Sequence, residues 1–120
     1  MRVCRSFPFD AAHFLPDYPG KCSKLHGHRW TLEVEIEGPV NPRTGFVMDF
    51  SELKILVQSR VIDHLDHDSL NIQFPNPTAE KIVQWVWVQL EGIISRLDLT
   101  LTRLRLYETP DSYVEMTKNG

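Results

Sequence analysis

Between Val3 and Phe14 the chain alternates: Val3, Phe7, Phe9, Ala11 and His13 share one parity, and Arg2, Ser6 and Asp10 take the other. A period of two with one apolar face predicts a strand wetted on one side. Pro16, Asp17, Pro19 and Gly20 then interrupt regular structure, and a loop reaches to about Lys24. From His26 to Glu37 the alternation returns. His26, His28, Trp30, Leu32, Val34 and Ile36 point one way; Arg29, Thr31, Glu33, Glu35 and Glu37 point the other. Gly38-Pro39 ends this strand, Asn41 to Gly45 form a turn, and Gly45 to Phe50 is expected to be a short third strand.

The period then changes. Phe50, Leu53, Leu56, Val57, Val61 and Leu65 recur at helical spacing, which predicts a helix from about Ser51 to His64. Asp49 or Ser51 caps it, with Glu52 three residues after Asp49 as in a capping box. Asp66 to Asn76 is expected to be a loop. Asn76-Pro77 introduces a second helix from Thr78 to about Arg96, whose centre, Ile82 to Val88, is apolar nearly all round and implies a mostly buried helix. Leu99 to Glu108 is again a strand, Pro110-Asp111-Ser112 a turn, and Tyr113 to Thr117 a last strand. The order ββααββ predicts an α+β domain: an antiparallel four-stranded sheet with two helices on one face. Such a sheet leaves a face and two edges open, which favours assembly with copies of itself.

Length and charge narrow the function. With 120 residues the chain is expected to be one domain, residues 1–120. A net charge of −3 offers no basic face for wrapping nucleic acid. No apolar run approaches the ~20 residues that span a bilayer. Met1 to Arg5 lacks the apolar stretch of a secretory signal, and two cysteines make no disulfide framework. A soluble cytoplasmic protein, without membrane or nucleic-acid partners, is the expectation.

The histidines carry more. His26-Gly27-His28 places two imidazoles on one face of a strand, about 6.6–6.8 Å apart along it. Two ring nitrogens at that spacing can converge on one ion, and Gly27 between them leaves the intervening face bare. His-x-His alone is common on strands. His13 adds a third imidazole at the end of the neighbouring strand, on its apolar parity. Three histidines with an open fourth position are the pattern of a catalytic zinc site. Cys22, flanked by Lys21 and Lys24 in a polar loop, is a fourth ligand, an inert residue, or a nucleophile or base beside the metal. Asp63-His64-Leu65-Asp66-His67-Asp68 is either a polar helix end and turn, or a place where a carboxylate orients an imidazole for proton transfer. Glu108, beside Thr109, is a strand-end charge or an acceptor for the N–H edge of an amidine-like heterocycle.

Phe9-Asp10-Ala11-Ala12-His13, Cys22-Ser23-Lys24-Leu25-His26-Gly27-His28, Asp49-Phe50, Leu65-Asp66-His67-Asp68-Ser69-Leu70-Asn71, Asn76-Pro77-Thr78-Ala79-Glu80 and Glu108-Thr109 occur in this order. That series closely resembles the 6-pyruvoyl-tetrahydropterin synthase family, and within it the bacterial 6-carboxy-tetrahydropterin synthase branch of the queuosine pathway. The resemblance covers the chain from Phe7 to about Thr109. It implies a T-fold whose sheets join edge to edge into an oligomeric barrel, with a hexamer or tetramer as the homo-oligomer. It implies Zn2+ on His13, His26 and His28, Cys22 as catalytic thiol, Asp66 and His67 as acid–base pair, and Glu108 as anchor of the pterin ring with Thr109 beside it. Lys24 and Lys21 are the candidates for the triphosphate, ahead of Arg29 on the other strand face. The implied reaction converts 7,8-dihydroneopterin triphosphate to 6-carboxy-5,6,7,8-tetrahydropterin, acetaldehyde and triphosphate. The gap of three residues between Cys22 and His26 resembles this branch more than the pyruvoyl-forming one, which stands as the alternative. A non-catalytic zinc-binding assembly module, closed by Cys22, is the second alternative.

Overall fold

Burial alternates along both long strands of the computed structural model, which describes residues 1–120. Strand β1 (Arg2–His13) and strand β2 (His26–Glu37) form an antiparallel hairpin in which Ala11 faces His28 and His13 faces His26. Phe7, Phe9, Ala11 and His13 of β1 and Trp30, Leu32, Val34 and Ile36 of β2 are buried. β4 (Thr100–Thr109) pairs antiparallel with β2, and β5 (Ser112–Thr117) with β4. Leu104 and Leu106 continue the apolar face at a period of two, and a bulge at Thr102, between the pairs Glu35–Arg103 and Ile36–Leu101, turns Leu101 onto the same face. The opposite face is polar and laced with ion pairs such as Arg103–Glu35 at 3.3 Å and Arg105–Glu115 at 2.7 Å.

The sheet differs from the expected four antiparallel strands. It has five, in the order β3-β1-β2-β4-β5, because Asp68–Ser69 forms a two-residue strand, β3, parallel to Ala11–Ala12. Asp66 to Asn76 is therefore structured, with a 3-10 turn at Leu70–Ile72. The expected strand from Gly45 to Phe50 does not form. Asn41 closes the turn through its side-chain oxygen, which accepts from Arg43 and Thr44, and Asp49 immediately caps a helix by accepting from Ser51 N at 2.8 Å. Too few residues remain between turn and cap to pair with any neighbour.

Helix α1 (Phe50–Val57) runs through a π turn at Gln58–Ile62 into α2 (Asp63–Leu65), a single helical rod ending where expected. The wide turn accommodates the adjacent pair Val61 and Ile62, which are both buried together with Val57 and Leu65. Helix α3 (Ala79–Arg96) is amphipathic rather than mostly buried: Ile82, Val83, Val86, Leu90 and Ile94 make one stripe, while Val88 is 73% exposed. Its N-cap is Thr78, whose hydroxyl accepts from Lys81 N at 3.2 Å. Thr78→Ala is expected to lower stability by about 1 kcal/mol, readable as a shift in the midpoint of chemical denaturation with unchanged slope. Both helical units lie over the apolar face and share one core with the sheet. No helix is long and apolar enough to cross a membrane.

Candidate active site

The hairpin register brings His13, His26 and His28 together at one end of the sheet. Their ring centroids lie 4.6 Å (His13–His26), 5.2 Å (His13–His28) and 4.8 Å (His26–His28) apart, and one nitrogen of each lies within 4.8 Å of the others. Trp30 forms the floor. It is fully buried, stands edge-on to His13 at 5.1 Å and to His28 at 5.7 Å, and its indole N–H donates to Ala11 O at 3.2 Å.

Two of the rings are oriented through their second nitrogen. His13 Nδ1 lies 2.8 Å from the carbonyl of Pro77, and His26 Nδ1 lies 2.7 Å from the carbonyl of Lys24. Donation from Nδ1 leaves Nε2 as a lone-pair donor, the arrangement that outer groups impose on metal-binding histidines. His13 is completely buried, yet its Nε2 has no hydrogen-bond partner. Glu108 Oε1 lies 3.1 Å from it and 3.7 Å from His28 Nε2, but the His13 contact is not aligned as a hydrogen bond. An orphaned nitrogen at the centre of three imidazoles, with a carboxylate alongside, suits a divalent cation. Burial also holds the His28 pKa below the usual imidazole value, which favours the neutral, ligating form.

Cys22 is not in this group of converging atoms. It sits half-buried in a 3-10 turn (Lys21–Ser23), where its carbonyl accepts from Leu15 N at 2.7 Å. The thiol is thus on the loop that leads into His26, outside the three-nitrogen cluster. Lys21 and Lys24 are exposed on the same loop.

Asp66 and His67 follow the helical rod. Asp66 Oδ2 lies 3.0 Å from His67 Nδ1, while Asp66 Oδ1 accepts the backbone N–H of Asp10 at 2.9 Å. The Asp10 N–H, foremost, and the His67 ring hold the Asp66 carboxyl below the ordinary carboxylate range. A carboxylate whose pKa falls on folding contributes stability above its unfolded value and loses it as pH drops through the folded one. The His67 side chain is 78% exposed.

Two open grooves meet over Gly27. One, of about 520 Å³, runs between β2 and β4 past His28, Arg29, Thr31, Tyr107, Glu108 and Thr109. The other, of about 470 Å³, runs past Asp10, His28, His67 and Asp68. A Cβ on Gly27 would meet nothing within 4 Å, so a glycine here leaves room for a ligand rather than for the fold. Thr109 caps the β4–β5 turn, its hydroxyl accepting from Asp111 N at 3.3 Å. Sequence reasoning missed Asp10, Pro77 and Tyr107. Asp10 stands on a wet strand face and within the first motif of the series, neither of which gives it a role, and the role of the Pro77 carbonyl leaves no trace in residue identity.

The sequence profile of 6-pyruvoyl tetrahydropterin synthase matches residues 2–119. A protein of Synechocystis named 6-carboxy-5,6,7,8-tetrahydropterin synthase is 40% identical over 95 residues, 74% of each chain. One of Pyrococcus furiosus named dihydroneopterin monophosphate aldolase is 37% identical over 115 residues, 96% of each chain. The structure of Caenorhabditis elegans 6-pyruvoyl tetrahydropterin synthase superposes with a TM-score of 0.83 at 26% identity, covering 98% of this chain and 94% of that one.

Proposed function

This chain belongs to the 6-pyruvoyl tetrahydropterin synthase family, and from that premise we propose that it is a zinc-dependent 6-carboxy-5,6,7,8-tetrahydropterin synthase serving queuosine biosynthesis. The orphaned His13 nitrogen, buried in a three-histidine cluster whose His28 lines the groove that also holds Glu108, supports this reading most directly. The short gap between Cys22 and His26 favours the carboxy-forming branch over the pyruvoyl-forming one.

His13, His26 and His28 hold the zinc ion, which when bound supplies Lewis acidity to the hydroxyl groups of the substrate side chain. Cys22, on the loop entering His26, takes a proton from that side chain as general base. His67, held by Asp66 through Nδ1, keeps Nε2 free to pass a proton to or from the opposite side. Proton transfers at the two positions set up loss of triphosphate and cleavage of the carbon–carbon bond that releases acetaldehyde. Glu108 accepts from the 2-amino and ring N–H groups of the pterin, with Thr109 at the turn beside it. Lys21 and Lys24 are the free cations nearest the cluster in sequence and receive the triphosphate. The exposed His67 and the outer edge of β5 are completed by further copies of the chain in a homo-oligomeric barrel, a hexamer or tetramer.

Metal-loaded protein given 7,8-dihydroneopterin triphosphate is expected to yield 6-carboxy-tetrahydropterin and acetaldehyde by mass analysis. A pyruvoyl product, or turnover of dihydroneopterin monophosphate in place of the triphosphate, would overturn the assignment. Gly27→Ala puts a methyl group into the junction of the two grooves, where it meets nothing within 4 Å. It is expected to keep zinc and thermal stability while weakening substrate binding by about 1–3 kcal/mol, the usual cost of added bulk in a fitted site, seen as a raised KM.

A further inference from the structure

We propose that the backbone of Asp10 is the positioning group that fixes the Asp66–His67 pair on the strand carrying His13; the inference rests on the catalytic reading of that pair given above.

Along β1, residues of even number turn their N–H and C=O away from β2, toward the free edge. Asp10 shows the direction: its N–H donates to Asp66 Oδ1 at 2.9 Å, and its carbonyl accepts from His67 N at 2.6 Å. Pro8, two residues earlier with the same orientation, has no N–H to offer, and an edge position is where a strand tolerates that. Both backbone groups of Asp10 are thereby committed to the acid–base pair. The Asp66 carboxylate bridges from one oxygen on the Asp10 amide to the other on the His67 ring, 3.0 Å away. This fixes the ring orientation and places the proton on Nδ1.

His67 has φ +58°, in the left-handed region that non-glycine residues occupy at a cost. The bond to the Asp10 carbonyl holds it there. The grip then continues: Asp68 and Ser69 pair with Ala11 and Ala12, and the Asn71 amide both accepts from Phe14 N at 2.8 Å and donates to Phe14 O at 2.9 Å. One strand edge, residues 10–14, clamps residues 66–71 while His13 of the same strand faces the imidazole cluster. The Asp10 carboxylate pairs with Arg29 at 3.2 Å, an exposed contact of small weight, and lies within 4.8 Å of a carboxylate oxygen of Asp66 and a ring nitrogen of His67. The other charged or titratable groups near the pair are His28 and Asp68, which line the same groove.

Asp10→Pro deletes the N–H and leaves the bonds to β2 intact, and Ser6→Pro makes the same change at an edge position remote from residues 66–71. In zinc-loaded enzyme Asp10→Pro is expected to lower kcat by roughly tenfold or more, the range for losing a hydrogen bond to a charged group, with KM and zinc content within twofold of wild type. Ser6→Pro is expected to stay within twofold in all three. By carbon-13 NMR the Asp66 carboxyl midpoint rises toward about 3.9 in Asp10→Pro and stays low in Asp10→Ala, which keeps the N–H. A measurement on the unaltered zinc-loaded protein covers a proline variant that fails to fold: the Asp10 amide resonance is expected to titrate with the midpoint of the Asp66 carboxyl. An Asp10 amide indifferent to that titration, or a folded Asp10→Pro with wild-type kcat, overturns the proposal. The NMR readout needs no turnover. A wild-type protein that forms no carboxypterin would therefore sink the enzymatic reading with the clamp intact, and an indifferent amide in an active enzyme sinks the clamp alone.

Discussion

Replacing either His26 or His28 with alanine is expected to remove stoichiometric zinc and turnover together while the chain stays folded. Both rings are partly exposed at the end of β2, and His28 is 23% exposed, so truncation opens no sealed cavity in the core. The remaining two imidazoles leave the ion with too few protein ligands for a tetrahedral site. Loss of an outer-shell partner alone weakens zinc by about 10–100-fold, and loss of a direct ligand exceeds that. The check is metal content by elemental analysis, paired with thermal unfolding in added zinc. Added zinc is expected to stabilise wild-type protein through mass action, and both variants are expected to lose that increment. Full zinc occupancy in both variants would end the three-histidine assignment.

Cys22→Ala is expected to cut turnover by roughly 10²–10⁴-fold, the range for losing a positioned acid–base group, with zinc retained. The geometry underlies the second half of that statement, since the Cys22 sulfur is not among the nitrogen atoms that converge within 4.8 Å of one another. Three imidazoles would still hold the ion, with water in the open position. Asp66→Asn is expected to be impaired without metal loss as well, because His67 keeps its place but loses its orienting charge. A closed structural zinc site makes the opposite forecast: Cys22→Ala loses metal first and Asp66→Asn is silent. Zinc content and product formation measured on the same two preparations separate the two, and metal loss in Cys22→Ala would withdraw the catalytic role.

Local periodicity determined most of the architecture. Alternation in residues 3–14 and 26–37 marks β1 and β2 and puts His13, His26 and His28 on the apolar parity, because side chains alternate strictly across a strand. The helical spacing after Phe50 and the start at Thr78 mark the rod and α3 within a residue or two. Where local pattern and long-range pairing compete, residue identity is not enough. Gly45 to Phe50 has strand-like composition but no partner, so turn and cap chemistry prevails. Asp68–Ser69 has no strand signature and becomes β3 only because the edge of β1 is there to pair with it. Side-chain chemistry named the three histidines, Asp66, His67 and Glu108. Only the tertiary structure decided that His13 faces His26, that the Pro77 carbonyl turns the His13 ring, and that Glu108 leans against two imidazoles. It alone decided that the Asp10 backbone holds a pair 56 residues away. Those are contacts between distant segments, made through backbone atoms that every residue carries alike, and they leave no mark on the identity of the residues that make them.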